Sequence, residues 1–227
     1  MPEVASALQN MASAELELLR ASTAFEDPDS DLAKRRHWVA ATSQVRIPGL
    51  WLEFGVSVGT STAVLAECAK AASSRLYGFD SFEGLPEEWV VSDHETLPRG
   101  SFGGRPSGLP DHVELVTGMF QDTLPEFLTT HTDRVAFAHL DCDLYSSAKC
   151  VLTSIQERLA IGTVLVFDEL FNYDRYFEHE MRALLELGQE GVRWRYVGHV
   201  PARCTASLIV TGLGSTSETD DRYAASP

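Results

Sequence analysis

The chain has few basic residues and few cysteines for its 227 residues. Lys and Arg number 18 against 33 Asp and Glu, so the formal net charge is −15. This excess of acid repels phosphate backbones and anionic lipid, and we expect neither a nucleic-acid nor a membrane partner. The four cysteines (Cys68, Cys142, Cys150 and Cys204) form no CxxC pair, which disfavours a zinc knuckle and a disulfide framework.

The N-terminal segment also lacks a long apolar run. Polar and acidic residues interrupt MPEVASALQNMASAELELLR, so it has neither the apolar centre of a signal peptide nor a membrane span. We therefore expect a cytoplasmic protein. The composition, with 44% apolar and 22% charged residues, is that of a globular chain, and the length suits one domain.

Short apolar runs alternate with helical patterns in most of the chain, which is typical of βαβ units. Two helical patterns at 3–20 and 31–45 predict an N-terminal helical cover. Near the end, WRYVGHV and ASLIVTG flank PARCT and predict an antiparallel hairpin at the sheet edge. Five near-continuous apolar runs predict buried parallel strands at 50–56, 75–80, 113–118, 135–141 and 162–169.

These patterns divide the chain into three parts. We predict a helical cover over 1–48, an α/β ligand-binding domain with a mostly parallel sheet over 49–213, and a polar tail over 214–227. The stretch 84–111 has little periodicity and carries Gly, Pro and Trp, so we expect it to cover the substrate.

A glycine turn follows the first predicted strand. Gly55 and Gly59 allow a tight turn and a close approach to a ligand, and Thr60 and Ser61 are candidate caps for the next helix. The second strand ends at Asp80, where a carboxylate can accept hydrogen bonds from a ribose. The pair points to a nucleoside-containing cofactor.

Glu53 narrows the choice of cofactor. A carboxylate beside this turn repels a pyrophosphate, which disfavours NAD. The same carboxylate suits the sulfonium and amino group of S-adenosylmethionine.

Four acidic residues end the fourth and fifth predicted strands: Asp141, Asp143, Asp168 and Glu169. Carboxylates that converge at one sheet edge repel one another unless a cation compensates, and Mg²⁺ prefers such oxygen ligands. His139 alternates with Asp141 and Asp143, so the three share a face if the strand extends that far. Trp89, Tyr145, Asn172, Tyr173 and His179 are weaker candidates for the wall of a pocket.

The motifs WLEFGVSVGTS, YGFDSFEGLPEEW, GMFQDTLPEFL, HLDCDLYSS and VFDELFNY together resemble the macrocin O-methyltransferase family over residues 50–185. These are class I S-adenosylmethionine-dependent enzymes found in antibiotic tailoring. The resemblance implies a Rossmann-like, seven-stranded methyltransferase fold. It departs from many members at Asp168-Glu169, where they have two aspartates.

The resemblance also implies roles for individual residues. Mg²⁺ would be held by Asp141, Asp168 and Glu169, and either Asp143 or His139 would be the catalytic base. The residues that it implies for the cofactor are Glu53, Gly55, Gly59, Thr60, Ser61, Asp80, Ser81, Gln121 and Asp122.

The leading hypothesis is a Mg²⁺-dependent O-methyltransferase acting on a hydroxylated small molecule, a sugar or a natural-product intermediate. One alternative keeps the cofactor and methylates nitrogen or carbon, or carries out another transformation. A second alternative is a non-catalytic S-adenosylmethionine-binding partner protein. The sequence leaves open the acceptor, the position methylated and whether the chain forms a homodimer.

Overall fold

The structure is a computed structural model that describes the backbone of residues 2–214 and the side chains of residues 8–214. The helices are α1 (Pro2–Arg20), α2 (Ser30–Thr42), α3 (Thr60–Ala71), α4 (Phe120–Thr130), α5 (Tyr145–Ile155) and α6 (Glu180–Gln189). The strands are β1 (Thr23–Ala24), β2 (Leu50–Phe54), β3 (Leu76–Asp80), β4 (Trp89–Val90), β5 (Thr96–Leu97), β6 (Val113–Thr117), β7 (Val135–Leu140), β8 (Val164–Phe167), β9 (Val192–Val200) and β10 (Thr205–Leu213).

The main sheet has the strand order β1-β9-β10-β8-β7-β2-β3-β6 in the described part of the chain. The five predicted strands β2, β3, β6, β7 and β8 are present and pair in parallel. The predicted hairpin is also confirmed, since β9 and β10 are antiparallel and β10 lies antiparallel to β8. These seven strands form the mostly parallel sheet that the resemblance implied.

The N-terminal segment is more than a helical cover. Residues Thr23 and Ala24 of β1 pair in parallel with β9 and extend the sheet by an eighth strand. Helix α2 starts at Asp29, whose side chain accepts hydrogen bonds from the first backbone N–H groups of the helix. Within α2, His37 is buried and its Nε2 lies 2.8 Å from Ser207 Oγ in β10. The segment is therefore part of the same folded unit as the sheet.

Alternation along the strands gives the sheet two apolar faces. Phe54 and Leu140 belong to the core shared with α1, α4, α5 and α6, whereas Trp51 and Phe137 belong to the core shared with α2 and α3. Both faces are covered, which explains why the strand sequences are almost continuously apolar.

Strand order reverses between β2 and β7, the neighbouring strands at the centre of the sheet. Ligands of open parallel sheets bind beyond the carboxyl ends of strands at this point. The predicted covering loop lies above it and contains a small hairpin of β4 and β5 that sequence patterns had not indicated.

Two further predictions concern the polar tail and membrane-spanning helices. The predicted tail falls almost wholly outside the described residues, which stop at 214. Among the helices of residues 2–214, none combines the length and the apolar character needed to cross a membrane.

Candidate active site

A cavity of about 690 Å³ opens at the carboxyl ends of β2, β3, β7 and β8. Its wall includes the turn after β2, the start of α4 and part of the covering loop. The predicted residues that line it are Gly55, Thr60, Ser61, Asp80, Ser81, Gln121, Asp141, Asp143, Asp168 and Glu169. Ten of the predicted site residues are thus brought to one cavity.

Asp80 holds the turn after β2 in place. Its Oδ2 accepts hydrogen bonds from the backbone N–H groups of Val56 and Ser57, at 2.8 and 2.7 Å, and its Oδ1 accepts one from Phe82 at 2.7 Å. The contacts with the chain are therefore those of a turn cap. The carboxylate also faces the cavity, where it remains a candidate for the ribose.

The glycines of the turn are required by its geometry. Gly55 has φ +93°, and a Cβ there would lie 1.8 Å from the carbonyl oxygen of Asp141. Gly59 has φ +86° and is the N-cap of α3. The prediction that Thr60 or Ser61 caps this helix is wrong. Gly59 occupies the cap position, and Ser61 Oγ donates to Glu53 Oε1 at 2.6 Å.

The four acidic residues converge on the cavity floor in two overlapping groups. Ligand atoms of Asp141, Asp143 and Glu169 all lie within 4.8 Å of one another, and so do those of His139, Asp141 and Asp168. Asp141 belongs to both groups. Strand β7 ends at Leu140, so the alternation that we expected to continue through Asp143 stops earlier, and Asp143 adopts φ +58°.

Asp168 is held by three neighbours. Lys34 of α2 forms an ion pair with Oδ2, His139 Nε2 lies 3.6 Å from Oδ1, and Thr205 Oγ1 donates to Oδ1 at 3.3 Å. Burial opposes ionisation, but the neighbouring His139 and Lys34 lower the pKa of Asp168 to about 2. Asp168 is therefore the ionised member of the acidic cluster.

The other three carboxyls have pKa values above the ordinary range. Burial and the charge of Asp168 raise the pKa of Asp143 to about 7. Burial is also the main cause that raises the pKa values of Asp141 and Glu169, with the charge of Asp168 next. Burial and mutual repulsion thus make these carboxyl groups costly to ionise together without a compensating cation.

His139 lies beneath the cavity and does not line it. The side chain is fully buried, with Nδ1 at 3.4 Å from Glu53 Oε1 and Nε2 facing Asp168. Burial opposes its charged form, but the neighbouring carboxylates of Asp168 and Glu53 raise the pKa of His139 to about 10. A charged imidazolium carries no free acceptor for another proton.

Three other predicted cofactor residues lie outside the cavity wall. Glu53 is fully buried against Ser61 and His139, Gly59 is buried in the turn next to Pro106, and Asp122 is exposed on α4. Of the weaker pocket candidates, Trp89 lines the cavity, whereas Tyr145, Asn172, Tyr173 and His179 do not.

Two site residues were missed by the sequence analysis. Lys34 lines the cavity, and although burial opposes its charge, the carboxylates of Asp168, Glu169 and Asp141 raise its pKa. Lys34 has no local signature, since it lies 134 positions before its partner. The second is Glu180, which precedes Leu184 and Leu187 by four and seven positions. This spacing places Glu180 on the buried face of α6, so the sequence did indicate a buried carboxylate there.

Residues 52–170, about half of the chain, match a family model described as a methyltransferase domain. The chain belongs to this methyltransferase family. It is an S-adenosylmethionine-dependent methyltransferase with the class I, Rossmann-like fold. The cavity at the switch between β2 and β7 lies where ligands of open parallel sheets bind, and it is the candidate site for the cofactor.

Among curated proteins, this methyltransferase is 30% identical over 178 residues to the 8-demethyl-8-(2,3-dimethoxy-alpha-L-rhamnosyl)-tetracenomycin-C 4'-O-methyltransferase of Streptomyces olivaceus. It is 24% identical over 178 residues to the demethyldecarbamoylnovobiocin O-methyltransferase of Streptomyces niveus. The alignments cover 66% of this chain in both cases and 67% and 66% of the two relatives.

Solved structures give the same fold. The calicheamicin methyltransferase CalS11 superposes with a TM-score of 0.61 at 24% identity, covering 92% of this chain and 93% of that one. The O-methyltransferase NovP superposes with a TM-score of 0.58 at 18% identity, covering 81% and 80%. At these identities the likeness concerns the fold alone.

Proposed function

We propose that this methyltransferase is a Mg²⁺-dependent O-methyltransferase that acts on a sugar hydroxyl of a natural product or of its intermediate. The observation that carries the proposal is the convergence of four carboxylates from two adjacent strand ends on the floor of the cofactor cavity. The resemblance to the macrocin O-methyltransferase family, stated from the motifs, supports the same function.

The donor set fits a divalent cation. All the candidates are carboxylate oxygens, the ligands that Mg²⁺ prefers, and Glu169 Oε2 is a buried atom with no hydrogen-bond partner among the described residues. The ligands that we propose are Asp141, Asp168 and Glu169. A divalent ion bound by them would lower the pKa of a substrate hydroxyl.

Asp143 is the catalytic base in this proposal. It lines the cavity beside Asp141 and Glu169, and a pKa of about 7 matches the requirement of a base that works near neutral pH. His139 is instead a positioning residue, because it is fully buried and charged between Glu53 and Asp168.

The chain's own residues would also hold the cofactor. The first turn of α3 has no side-chain cap, so its backbone N–H groups are available to an anionic group such as the cofactor carboxylate. Asp80, at the end of β3, faces the cavity beside this turn and suits the ribose hydroxyls. Gln121, at the start of α4, lines the cavity, and we assign it to the adenine; the covering loop with Trp89 and Phe102 would exclude water.

Relatives support a sugar as the acceptor. The tetracenomycin enzyme is named for methylation at the 4' oxygen of a rhamnosyl group, and a second structure of CalS11, with a TM-score of 0.57 at 22% identity, is titled TDP-rhamnose 3'-O-methyltransferase. A hydroxyl of a deoxysugar is therefore the first acceptor class to test.

The experiment uses the full chain, S-adenosylmethionine and a panel of rhamnosylated polyketides and nucleotide-linked rhamnose. We expect methyl transfer to oxygen that stops with EDTA and returns with Mg²⁺. Asp141→Asn should reduce kcat at least about 100-fold, because a negatively charged ligand is replaced by a neutral amide that holds Mg²⁺ less tightly. Full activity in EDTA contradicts the metal, and transfer to nitrogen or carbon contradicts the acceptor class.

The base is tested separately with Asp143→Asn. We expect kcat to fall about 10²- to 10⁴-fold while S-adenosylhomocysteine still binds, because general-base catalysis contributes on this scale. Asp133→Asn is the matched control and should retain activity, because Asp133 is exposed and lies outside the cavity wall. If His139→Gln loses the pH dependence of kcat and Asp143→Asn keeps it, His139 is the base. Cofactor binding without turnover on any acceptor would favour the non-catalytic alternative.

A further inference from the structure

Glu180, the first residue of α6, connects two loops that its helix does not belong to. Its side chain is fully buried, and Oε1 accepts a hydrogen bond from the backbone N–H of Cys142 at 3.3 Å. Oε2 accepts a hydrogen bond from the backbone N–H of Glu169 at 3.2 Å. One carboxylate therefore joins the loop after β7 to the loop after β8.

The two loops carry the whole acidic cluster. Cys142 lies between Asp141 and Asp143, and Glu169 follows Asp168 directly. Each loop is fixed at its first residue to the neighbouring strand, since the backbone N–H of Asp141 donates to Phe54 of β2 at 2.8 Å and that of Asp168 donates to Leu140 of β7 at 2.9 Å. Beyond these first residues, no other single side chain within the described chain accepts hydrogen bonds from the backbone of both loops, so the Glu180 carboxylate fixes how far Cys142 lies from Glu169.

The position of Glu180 is not that of an ordinary helix cap. His179 is the N-cap residue of α6 and makes no side-chain cap, while the Glu180 side chain turns away from its own helix toward the cavity floor. Burial raises the pKa of Glu180 to about 8, although the two backbone N–H groups oppose the increase. A buried acid beside other acids is costly, so a purely structural position would be better filled by an apolar residue.

We propose that Glu180 is a positioning residue that sets the separation of the two acid-bearing loops so that Asp141 and Glu169 can bind the same divalent ion. The proposal rests on the proposed Mg²⁺ site. Glu180 itself does not contact the ion or the substrate; it acts through the backbone of Cys142 and Glu169. Outer residues of this kind commonly change metal affinity 10- to 100-fold when they are replaced.

The test variant is Glu180→Gln, which keeps the size of the side chain and replaces one acceptor oxygen by a donor NH₂. That NH₂ meets a backbone N–H, so one of the two loops must move away. Glu186→Gln is the matched control, because Glu186 is a hydrogen-bonded carboxylate on the same helix whose partners, Tyr145, Arg182 and Lys149, lie outside the acidic cluster.

Binding of Mg²⁺ and of S-adenosylhomocysteine to the full chain is measured by calorimetry, with all variants in the same buffer and at the same pH. We expect Glu180→Gln to weaken Mg²⁺ binding at least about tenfold and to change the affinity for S-adenosylhomocysteine less than twofold. Glu186→Gln should bind both as the wild type does. Glu180→Asp is one methylene too short to reach both loops and should resemble Glu180→Gln.

The outcomes separate this inference from the proposed function. If the wild type binds no Mg²⁺, the metal site itself is wrong. If the wild type binds Mg²⁺ and Glu180→Gln binds it equally well, only the role of Glu180 is overturned. If both Glu180 variants fail to fold while Glu186→Gln folds, Glu180 serves stability and the proposal is also overturned.

Discussion

Asp168 keeps its charge through its neighbours and not through solvent. Lys34, His139 and Thr205 contact its two oxygens, and the side chain is 2% exposed. A buried carboxylate in this state depends on each cation that compensates it. We therefore expect the loss of a cation that contacts Asp168 to lower the free energy of unfolding.

Lys34→Met should lower the free energy of unfolding by about 2 kcal/mol in EDTA, because it leaves the buried Asp168 carboxylate without its ion pair. The matched control is Lys149→Met, which removes a more exposed pairing with Glu186 and Glu190 and should cost less than about 1 kcal/mol. Urea unfolding followed by circular dichroism gives both values. Equal stability of Lys34→Met and the wild type would show that the ion pair contributes nothing.

We expect His139 to make the free energy of unfolding fall as the pH rises. Its pKa is raised from 6.5 in the free side chain to about 10, so the charged form stabilises the fold fully below pH 6.5 and the contribution is lost as the pH rises toward 10. The wild type should lose stability between pH 7 and 8.5 more steeply than His139→Gln, by up to about 1.4 kcal/mol per pH unit. Urea titrations of both proteins in EDTA measure the two slopes, and parallel slopes would mean that the imidazole is neutral.

At the scale of elements, the glycine turn after β2 and the acidic loop after β7 are in direct contact. The backbone N–H of Asp141 donates to Phe54 at 2.8 Å, and Gly55 packs against the Asp141 carbonyl. The glycine turn, to which we assign the cofactor, and the acidic loop, to which we assign the acceptor, are therefore fixed to each other. Neither element can shift alone.

Gly55→Ala tests this contact. The new Cβ would lie 1.8 Å from the Asp141 oxygen on a backbone with φ +93°, so we expect a loss of at least about 3 kcal/mol in the free energy of unfolding. Gly108→Ala is the control, because Gly108 has φ +71° but open space at its Cβ position, and should cost only about 1–2 kcal/mol. A similar cost for both variants in urea unfolding would show that backbone conformation alone matters.

At the scale of the molecule, sequence patterns predict the elements well and the contacts between distant elements poorly. The apolar runs of β2, β7 and β8 are explained by burial of both sheet faces. The acidic residues after β7 and β8 lie close together because the carboxyl ends of parallel strands meet at one edge of the sheet. The ion pair of Lys34 with Asp168, the burial of Glu53 and the left-handed backbone at Asp143 arise only when distant segments pack together. The periodicity of apolar residues predicts which side of a helix or strand is buried, but not which other element packs against that side.

The N-terminal boundary predicted at residue 48 is tested by expressing residues 49–214 without the cover. We expect this fragment to fail to fold, because it loses β1 at the edge of the sheet and the buried His37 and Trp38 of α2. The measurement is the dispersion of its amide NMR spectrum, compared with that of the full chain. A well-dispersed spectrum and a cooperative unfolding transition would establish 49–214 as an independent domain.

The contact between the glycine turn and the acidic loop also bears on how new specificities could arise in this enzyme. Because the glycine turn and the acidic loop are fixed to each other, changes near Gly55 or Asp141 would disturb the alignment of the methyl donor with any acceptor. The covering loop at 84–111 contacts the turn through side chains, such as Ser57 Oγ, which donates to the Phe102 carbonyl at 2.9 Å, and it supplies Trp89 and Phe102 to the wall. Exchange of that segment is the natural route by which evolution or laboratory design would redirect the transferred methyl group to a different molecule.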